Sequence, residues 1–222
     1  YKGNLFQHYD VAVSQTAIKR EVLTRIIAEL RSSGIGLEMP EGYQVYMASW
    51  RGISTETYRK FQAFTHIDPR YAGRINFPIR SAGGRIVGFQ GRDDTGTLEH
   101  KYNFTPMGVK LPLFPQVQPL QGRVILVEGI FDMLNLHDKG LTNAICCFGV
   151  KNFSEKKLEL LKVSGVSGLD LLFDADEAGK DAAEKVKKVA GNFPVRVIAL
   201  KSGDPGDMSK DQVEGLRRKL YG

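Results

Sequence analysis

The spacing of apolar positions changes character twice along the chain. Between residues 14 and 33 they recur at Ile18, Val22, Ile26 and Leu30, flanked by Leu23 and Ile27, which is the spacing of an amphipathic helix; Gly34 ends it. Gly, Pro and Glu crowd residues 34–42 and mark a loop. Ser54 then reads as an N-cap, with Ile53 and Tyr58 placed to form a hydrophobic staple around it, so a short helix is predicted over 55–64. Beyond it the pattern becomes that of strands. Segments 75–80 and 85–92 flank Ser81-Ala82-Gly83-Gly84, a hairpin turn whose glycines accept positive φ, and 101–104 adds another short strand. Pro106, Pro112, Pro115 and Pro119 break up the connector that follows, and a boundary is placed at Gly122.

From Arg123 onward strands and helices alternate. Strands are predicted over 124–127, 144–148, 169–173 and 195–200, and helices over 131–139, 155–161 (capped by Ser154), 178–190 and 208–220. Alternation of this kind implies right-handed βαβ crossovers and a mostly parallel sheet. The expectation is therefore an α/β unit over 123–222, preceded by a smaller helical and basic α+β subdomain over 1–122. There is no internal repeat and no low-complexity tract.

Charge sharpens this division. The formal net charge is +6, but residues 1–122 carry 15 Lys and Arg against 10 Asp and Glu, whereas 123–222 carry 16 against 15. Five arginines (Arg70, Arg74, Arg80, Arg85 and Arg92) fall between residues 69 and 92 with no carboxylate among them. Guanidinium groups pair with phosphates in a bidentate way, so this reads as a phosphate-holding patch; a solvated face of a mildly basic protein is the plainer alternative. The two cysteines, Cys146 and Cys147, are neighbours in an apolar run. Adjacent strand residues point to opposite faces and do not readily bridge, which fits a reducing cytoplasm, and the absence of a CxxC pair leaves no zinc ribbon in this sequence. No apolar run approaches membrane-spanning length, and no signal peptide is expected. The first residue is Tyr1 rather than Met, so the sequence is expected to be a piece of a longer protein.

Candidate chemistry lies at the strand ends. The apolar run ending at Phe173 stops on Asp174, skips one residue to Asp176, and restarts as a helix near Ala178. Open α/β sheets keep their sites at the C-terminal ends of strands. Two carboxylates this close repel each other, and a divalent cation is the usual remedy, so Asp174 and Asp176 are candidate magnesium ligands. The plainer reading is that Asp176 caps the next helix and Asp174 is solvated. Glu128 ends a second strand, with Asp132 one helical turn beyond it, and Asp204 and Asp207 follow a third. Taken singly, Asp132 could be a first-turn residue favoured by the helix dipole, and Asp204 or Asp207 a turn or cap residue. If the strands are parallel neighbours, all six acids converge on one edge. Such a cage beside an arginine-rich surface suggests metal-dependent chemistry on phosphate esters, whether the bond is made or broken.

Glu128-Gly129 with Asp132, and Asp174-x-Asp176 followed by Ala178-Gly179-x-Asp181-Ala182-Ala183, resemble the TOPRIM domain shared by DnaG-type primases, type IA and type II topoisomerases and some nucleases. Phe77-Pro78-Ile79-Arg80, the run Gly84-Arg85-Ile86-Val87-Gly88-Phe89-Gln90-Gly91-Arg92, and Lys101-Tyr102-Asn103 resemble the basic strand region that precedes TOPRIM in bacterial primases of the DnaG type and their phage or mobile-element relatives, and the latter type is expected here. The resemblance covers roughly residues 50–210 and implies a Rossmann-like, mostly parallel sheet with helices on both faces. It implies a DNA primase core, a nucleotidyltransferase and DNA-directed RNA polymerase making short RNA primers on single-stranded DNA from ribonucleoside triphosphates.

By the same resemblance Glu128, Asp132, Asp174, Asp176, Asp204 and Asp207 would bind the divalent metals (Mg²⁺ or Mn²⁺), with Glu128, Asp174 and Asp176 catalytic. Arg74, lying in the same basic region, joins Arg80, Arg85, Arg92, Lys101 and Asn103 as candidate contacts to template and nucleotide. A replicative helicase and a zinc-binding module outside this sequence are the implied partners, without a membrane. Two departures stand out. Gly206 is inserted where the family has Asp-Pro-Asp, and Phe104-Thr105-Pro106 replaces the usual Ser-Pro. Residues 1–45 match nothing in the family pattern. A TOPRIM nuclease or a non-catalytic TOPRIM binding module are the alternatives; a topoisomerase is poorest, since no nucleophilic-tyrosine domain is recognisable and Tyr221 reads as tail.

Overall fold

The computed structural model describes residues 36–115 and 122–222. The helix predicted over 14–33 and part of the proline-rich connector lie outside the described residues.

The first part is an antiparallel meander. β1 (Gln44–Val45), β2 (Phe64–Thr65), β3 (Arg74–Arg80), β4 (Ile86–Asp93) and β5 (Tyr102–Thr105) lie side by side in sequence order, and α1 (Thr55–Lys60) sits between β1 and β2. Ser54 caps α1, its Oγ accepting from the Thr57 amide at 3.3 Å, and Ile53 and Tyr58 are both buried around it. The helix is shorter than predicted. Phe61 caps it, Gln62 takes φ +57°, and Phe64 enters the sheet opposite Asn76, where it is fully buried beside Tyr71 and Phe89. Burying that ring in the sheet outweighs one more helical turn. The β3–β4 hairpin closes through Gly84, at φ +80°, whose amide donates to Ser81 O at 2.9 Å.

The second part alternates as expected: β6 (Gly122–Val127), α2 (Ile130–Asp138), β7 (Ala144–Cys146), α3 (Glu155–Val163), β8 (Val166–Leu171), α4 (Glu177–Ala190), β9 (Val195–Val197) and α5 (Lys210–Tyr221). All neighbours in this sheet are parallel, in the order β7-β6-β8-β9. The chain leaves β6 toward β7 and returns on its other side to β8, so the topological switch point falls between β6 and β8. The alternation of side chains across the strands separates two apolar layers. Ile125, Val127 and Cys146 face α2 and α5, whereas Val124, Leu126 and Cys147 face α3 and α4. The two cysteines are free, buried and on opposite faces. β7 and β9 are shorter than predicted; Phe148, just past β7, takes φ +56°.

The layer under α2 does not stop at the parallel sheet. Ile53, Tyr58, Phe61, Ile75, Phe77 and Ile79 of the meander share one apolar cluster with Ile130, Phe131, Met133 and Leu134 of α2. One face of the antiparallel sheet is thereby turned toward the carboxyl ends of the parallel strands. Among the described residues no helix is long and apolar enough to cross a membrane.

Candidate metal centre and its basic face

The strand order brings the acids to the switch point. Glu128 follows β6 and Asp174 follows β8, its immediate neighbour; the Ala175 amide donates to Gly203 O at 3.0 Å, tying the Asp174 segment to the one carrying Asp204. Asp204 is held from the other side as well. Asn135, buried on α2, donates from Nδ2 to Pro205 O at 2.8 Å and to Met208 O at 3.0 Å. This sets the turn beside Asp132, whose Oδ2 accepts from the Gly129 amide at 2.9 Å at the start of α2.

The electrostatics report the same convergence. Burial pushes the Asp132 carboxyl up to about 7, with Asp204 and Asp174 adding to it against the Gly129 hydrogen bond and Arg51. Burial also raises Asp174, followed by Asp204 and Asp176, and raises Glu128, followed by Asp174 and Asp176, with Lys185 opposing. Asp174 is thus the carboxylate that acts on both Glu128, at the end of β6, and Asp132, in the first turn of α2. Asp132 and Asp204 face each other across Gly206. A methyl group on that glycine would stand 2.9 Å from an Oδ1 of each. Asp204 Oδ1 is buried and has no hydrogen-bond partner. A buried carboxylate oxygen left unpaired beside two other acids suits a hard divalent cation, for which an all-oxygen donor set is the natural environment.

The six predicted ligands do not converge equally. Asp176 is the N-cap of α4, its Oδ1 accepting from the Gly179 amide at 2.8 Å, so the capping role set beside the metal reading is real for one of its oxygens. Asp207 turns away to an ion pair with Arg51, Nη2 to Oδ1 2.7 Å. Among the described residues, no three or more His, Cys, Asp or Glu side chains are gathered closely enough to hold a metal ion as they stand. Gly179 has its own part in the geometry. A Cβ there would stand 2.1 Å from Asp174 O, so the start of α4 packs on the backbone of Asp174 only because the residue is glycine.

The basic candidates are divided by the pleat. Residues directly opposite in an antiparallel sheet share a face, and the register pairs Arg92 with Ile75 and Tyr102, and Gly91 with Asn76 and Asn103. Arg92 therefore faces α2 with Phe77. Its guanidinium lies 4.7 Å from the Tyr102 ring centroid, 5.6 Å from Trp50 and 5.7 Å from Phe131, the residue before Asp132. Arg74, Lys101 and Asn103 belong to the opposite face, where Asn103 Nδ2 donates to Arg70 O at 3.2 Å. Arg80, at the hairpin, donates to Gly84 O and Gln62 Oε1, and Arg85 follows the turn on the exposed surface. The patch expected from composition is thus two surfaces, and only the one carrying Arg92 looks toward the acids.

Arg51, Asn135 and Tyr102 were not singled out from the sequence. Arg51 pairs with Asp207 and lies in electrostatic reach of Asp204; the Tyr102 hydroxyl is raised by burial and by Asp132, against Arg92. No local pattern marks Arg51 or Asn135, because each acts on residues far away in the chain; Tyr102 sits inside the Lys101-Tyr102-Asn103 run, where its two neighbours are the candidates.

Comparison with known proteins agrees with this geometry. Residues 125–211 match the family described as Toprim-like. The DNA primase of Deinococcus radiodurans is 33% identical over 82% of this chain, and that of Staphylococcus epidermidis 32% identical over 75% of it. The chain spans 35% and 29% of the lengths of those two relatives. The crystal structure of the zinc-binding and RNA polymerase domains of the Aquifex aeolicus primase superimposes with a TM-score of 0.64 at 25% identity, covering 76% of this chain and 52% of that one. Shared sequence on both sides of residue 122 and a shared arrangement of the two sheets place this chain in the DnaG-type primase family, as its catalytic-core region.

Proposed function

We propose that this chain catalyses RNA primer synthesis on single-stranded DNA, joining ribonucleoside triphosphates with loss of pyrophosphate. The single observation that carries this reading is the unpaired, buried Oδ1 of Asp204, facing Asp132 across Gly206, beside Asp174 and under a sheet face that presents Arg92. In this proposal Glu128, Asp132, Asp174 and Asp204 hold divalent cations, Mg²⁺ or Mn²⁺, with Asp176 contributing its second oxygen. Asp207 serves through Arg51 instead. When bound, the cations neutralise phosphate oxygens and favour ionisation of an attacking 3′-hydroxyl.

The chain's own residues do the rest. Asn135 and the Ala175 amide hold Asp204 and Asp174 in register, and Gly179 lets α4 seat against Asp174. In this proposal Glu128, half-buried at the end of β6, also takes the proton from the hydroxyl. Arg92 contacts the nucleotide on the side facing the acids and Arg51 balances its charge there, while Arg74, Arg80, Arg85, Lys101 and Asn103 track the template over the rest of the basic subdomain. Residues 1–122 and 123–222 act as the two lobes of this site. The reaction belongs to the cytoplasm, and a replicative helicase and a zinc-binding module elsewhere in the assembly are its partners.

The test incubates the chain with single-stranded DNA, labelled ribonucleotides and Mg²⁺ or Mn²⁺, beside an Asp174→Ala, Asp176→Ala control. Short labelled RNA that vanishes in the control supports the proposal. Metal-dependent cutting of the DNA without RNA synthesis overturns it in favour of a nuclease.

A further inference from the structure

The meander face that looks toward α2 carries a second unusual feature. Gln90 and Arg92 lie two residues apart on β4 and so share that face. They are 5% and 8% exposed, yet Gln90 Oε1 and Arg92 Nε and Nη1 have no hydrogen-bond partner. Buried polar groups in native proteins are nearly always paired, and two unpaired neighbours on one face point to something that pairs them. The surroundings are aromatic. Tyr102 and Phe104 stand directly opposite Arg92 and Gln90 on β5. Phe104 packs edge-on to Phe148 at 6.0 Å from the end of β7, and Trp50 and Phe131 complete the wall around Arg92.

A phosphate does not fit this floor. It offers acceptors alone, which would satisfy Arg92 and leave the Gln90 carbonyl oxygen facing another acceptor. A carboxamide presents a donor and an acceptor side by side, and with the guanidinium donors next to it the floor matches a planar group that carries both kinds on one edge. Nucleobases do, and aromatic rings on the walls suit a base plane. We infer that Gln90 and Arg92 form the floor of a nucleobase site, in which Gln90 reads the base edge and makes the site choose among bases. The inference rests on the primase reading, which supplies the nucleotide, and extends it to a specificity-determining residue.

Trp50 is the only tryptophan and lies against Arg92, so its fluorescence reports the site. The chain is titrated with each of the four ribonucleoside 5′-monophosphates and with inorganic tripolyphosphate. One base is expected to bind tighter than the others by about 5- to 100-fold, the range of a good amide-to-base pair. Gln90→Met, of similar volume, erases that difference and leaves tripolyphosphate affinity unchanged. Gln90→Glu, which keeps the size and removes the donor, changes which base is preferred, and melting curves establish that each variant is folded. Equal binding of all four bases, no binding of any, or a preference that survives both substitutions overturns the assignment and leaves Gln90 a hydrated amide. RNA synthesis by the unaltered chain without base preference overturns this inference alone, whereas absence of both RNA synthesis and tripolyphosphate binding overturns the primase reading beneath it.

Discussion

The Asp138 carboxylate, at the C-terminal end of α2, accepts a hydrogen bond from Thr57 Oγ1 of α1 at 2.7 Å. The same oxygen accepts from the Ser54 amide at 3.0 Å and from the Ser54 hydroxyl, so one acid of the parallel-sheet part caps the first helix of the meander. This contact helps to hold the Arg92 face over the acids. Asp138→Ala leaves the Ser54 amide and two hydroxyls without their acceptor and is expected to destabilise the chain by about 1–3 kcal/mol in urea unfolding. Burial opposes ionisation of Asp138, but the Ser54 and Thr57 hydrogen bonds outweigh it and hold the carboxyl below its ordinary value. Its contribution is therefore present above the unfolded-state pKa and lost as pH falls through the lower folded-state value. The stability difference between the parent and Asp138→Ala should shrink as unfolding is measured at progressively lower acidic pH.

Asp174 and Asp207 should behave differently although both end a strand region in the sequence. Asp174→Ala removes the carboxylate that acts on Glu128 and Asp132 and is expected to lower primer synthesis on the order of a hundredfold or more. Asp207→Ala breaks a partly exposed ion pair with Arg51, for which a stability loss of about 1 kcal/mol or less is expected. Its effect on synthesis should be less than about tenfold, or about 1.4 kcal/mol. Parallel synthesis and calorimetric Mn²⁺ titrations of the two variants check this, and equal losses would restore Asp207 to the metal set.

Gly179→Ala tests how Asp174 is positioned. The added methyl meets the backbone oxygen of Asp174, which cannot swing aside as a flexible side chain would. A destabilisation of about 1–3 kcal/mol is expected from overpacking, with a larger loss of primer synthesis than the stability change explains. Activity measured well below the melting temperature separates the two effects.

Four residues before Asp174, β8 itself carries the opposite kind of acid. Asp170, fully buried in β8, accepts from Arg123 Nε at 2.8 Å and from Arg196 Nε and Nη2 at 2.9 and 2.7 Å. Both arginines reach solvent, with side chains 28% and 41% exposed. Removing the arginines strands a buried charge, whereas removing the acid frees two groups that water can take up. Arg123→Met with Arg196→Met is therefore expected to destabilise by about 3–5 kcal/mol, and Asp170→Asn by clearly less, in equilibrium unfolding.

What the sequence determined by itself was local. The shift from helical to strand spacing marked the hairpin at 81–84 and nearly every later element, and the N-cap at Ser54 was readable because its staple partners lie within five residues. The strand-end acids were equally legible, since an apolar run that stops on a carboxylate needs no knowledge of the fold. Only the tertiary structure decided which strands are neighbours, and the order β7-β6-β8-β9 is what puts Asp174 beside Glu128. It also decided the register across β3, β4 and β5, which sends Arg92 toward the acids and Arg74 and Asn103 away from them. The helix over 55–64 ended early because Phe64 found its burial in a sheet formed with residues well downstream. Arg51 and Asp207, Asn135 and Pro205, and the space beside Gly206 all depend on contacts between distant parts of the chain. Periodicity records how a side chain meets its own element; such pairings are set by how the elements pack, and nothing in the neighbouring residues encodes them.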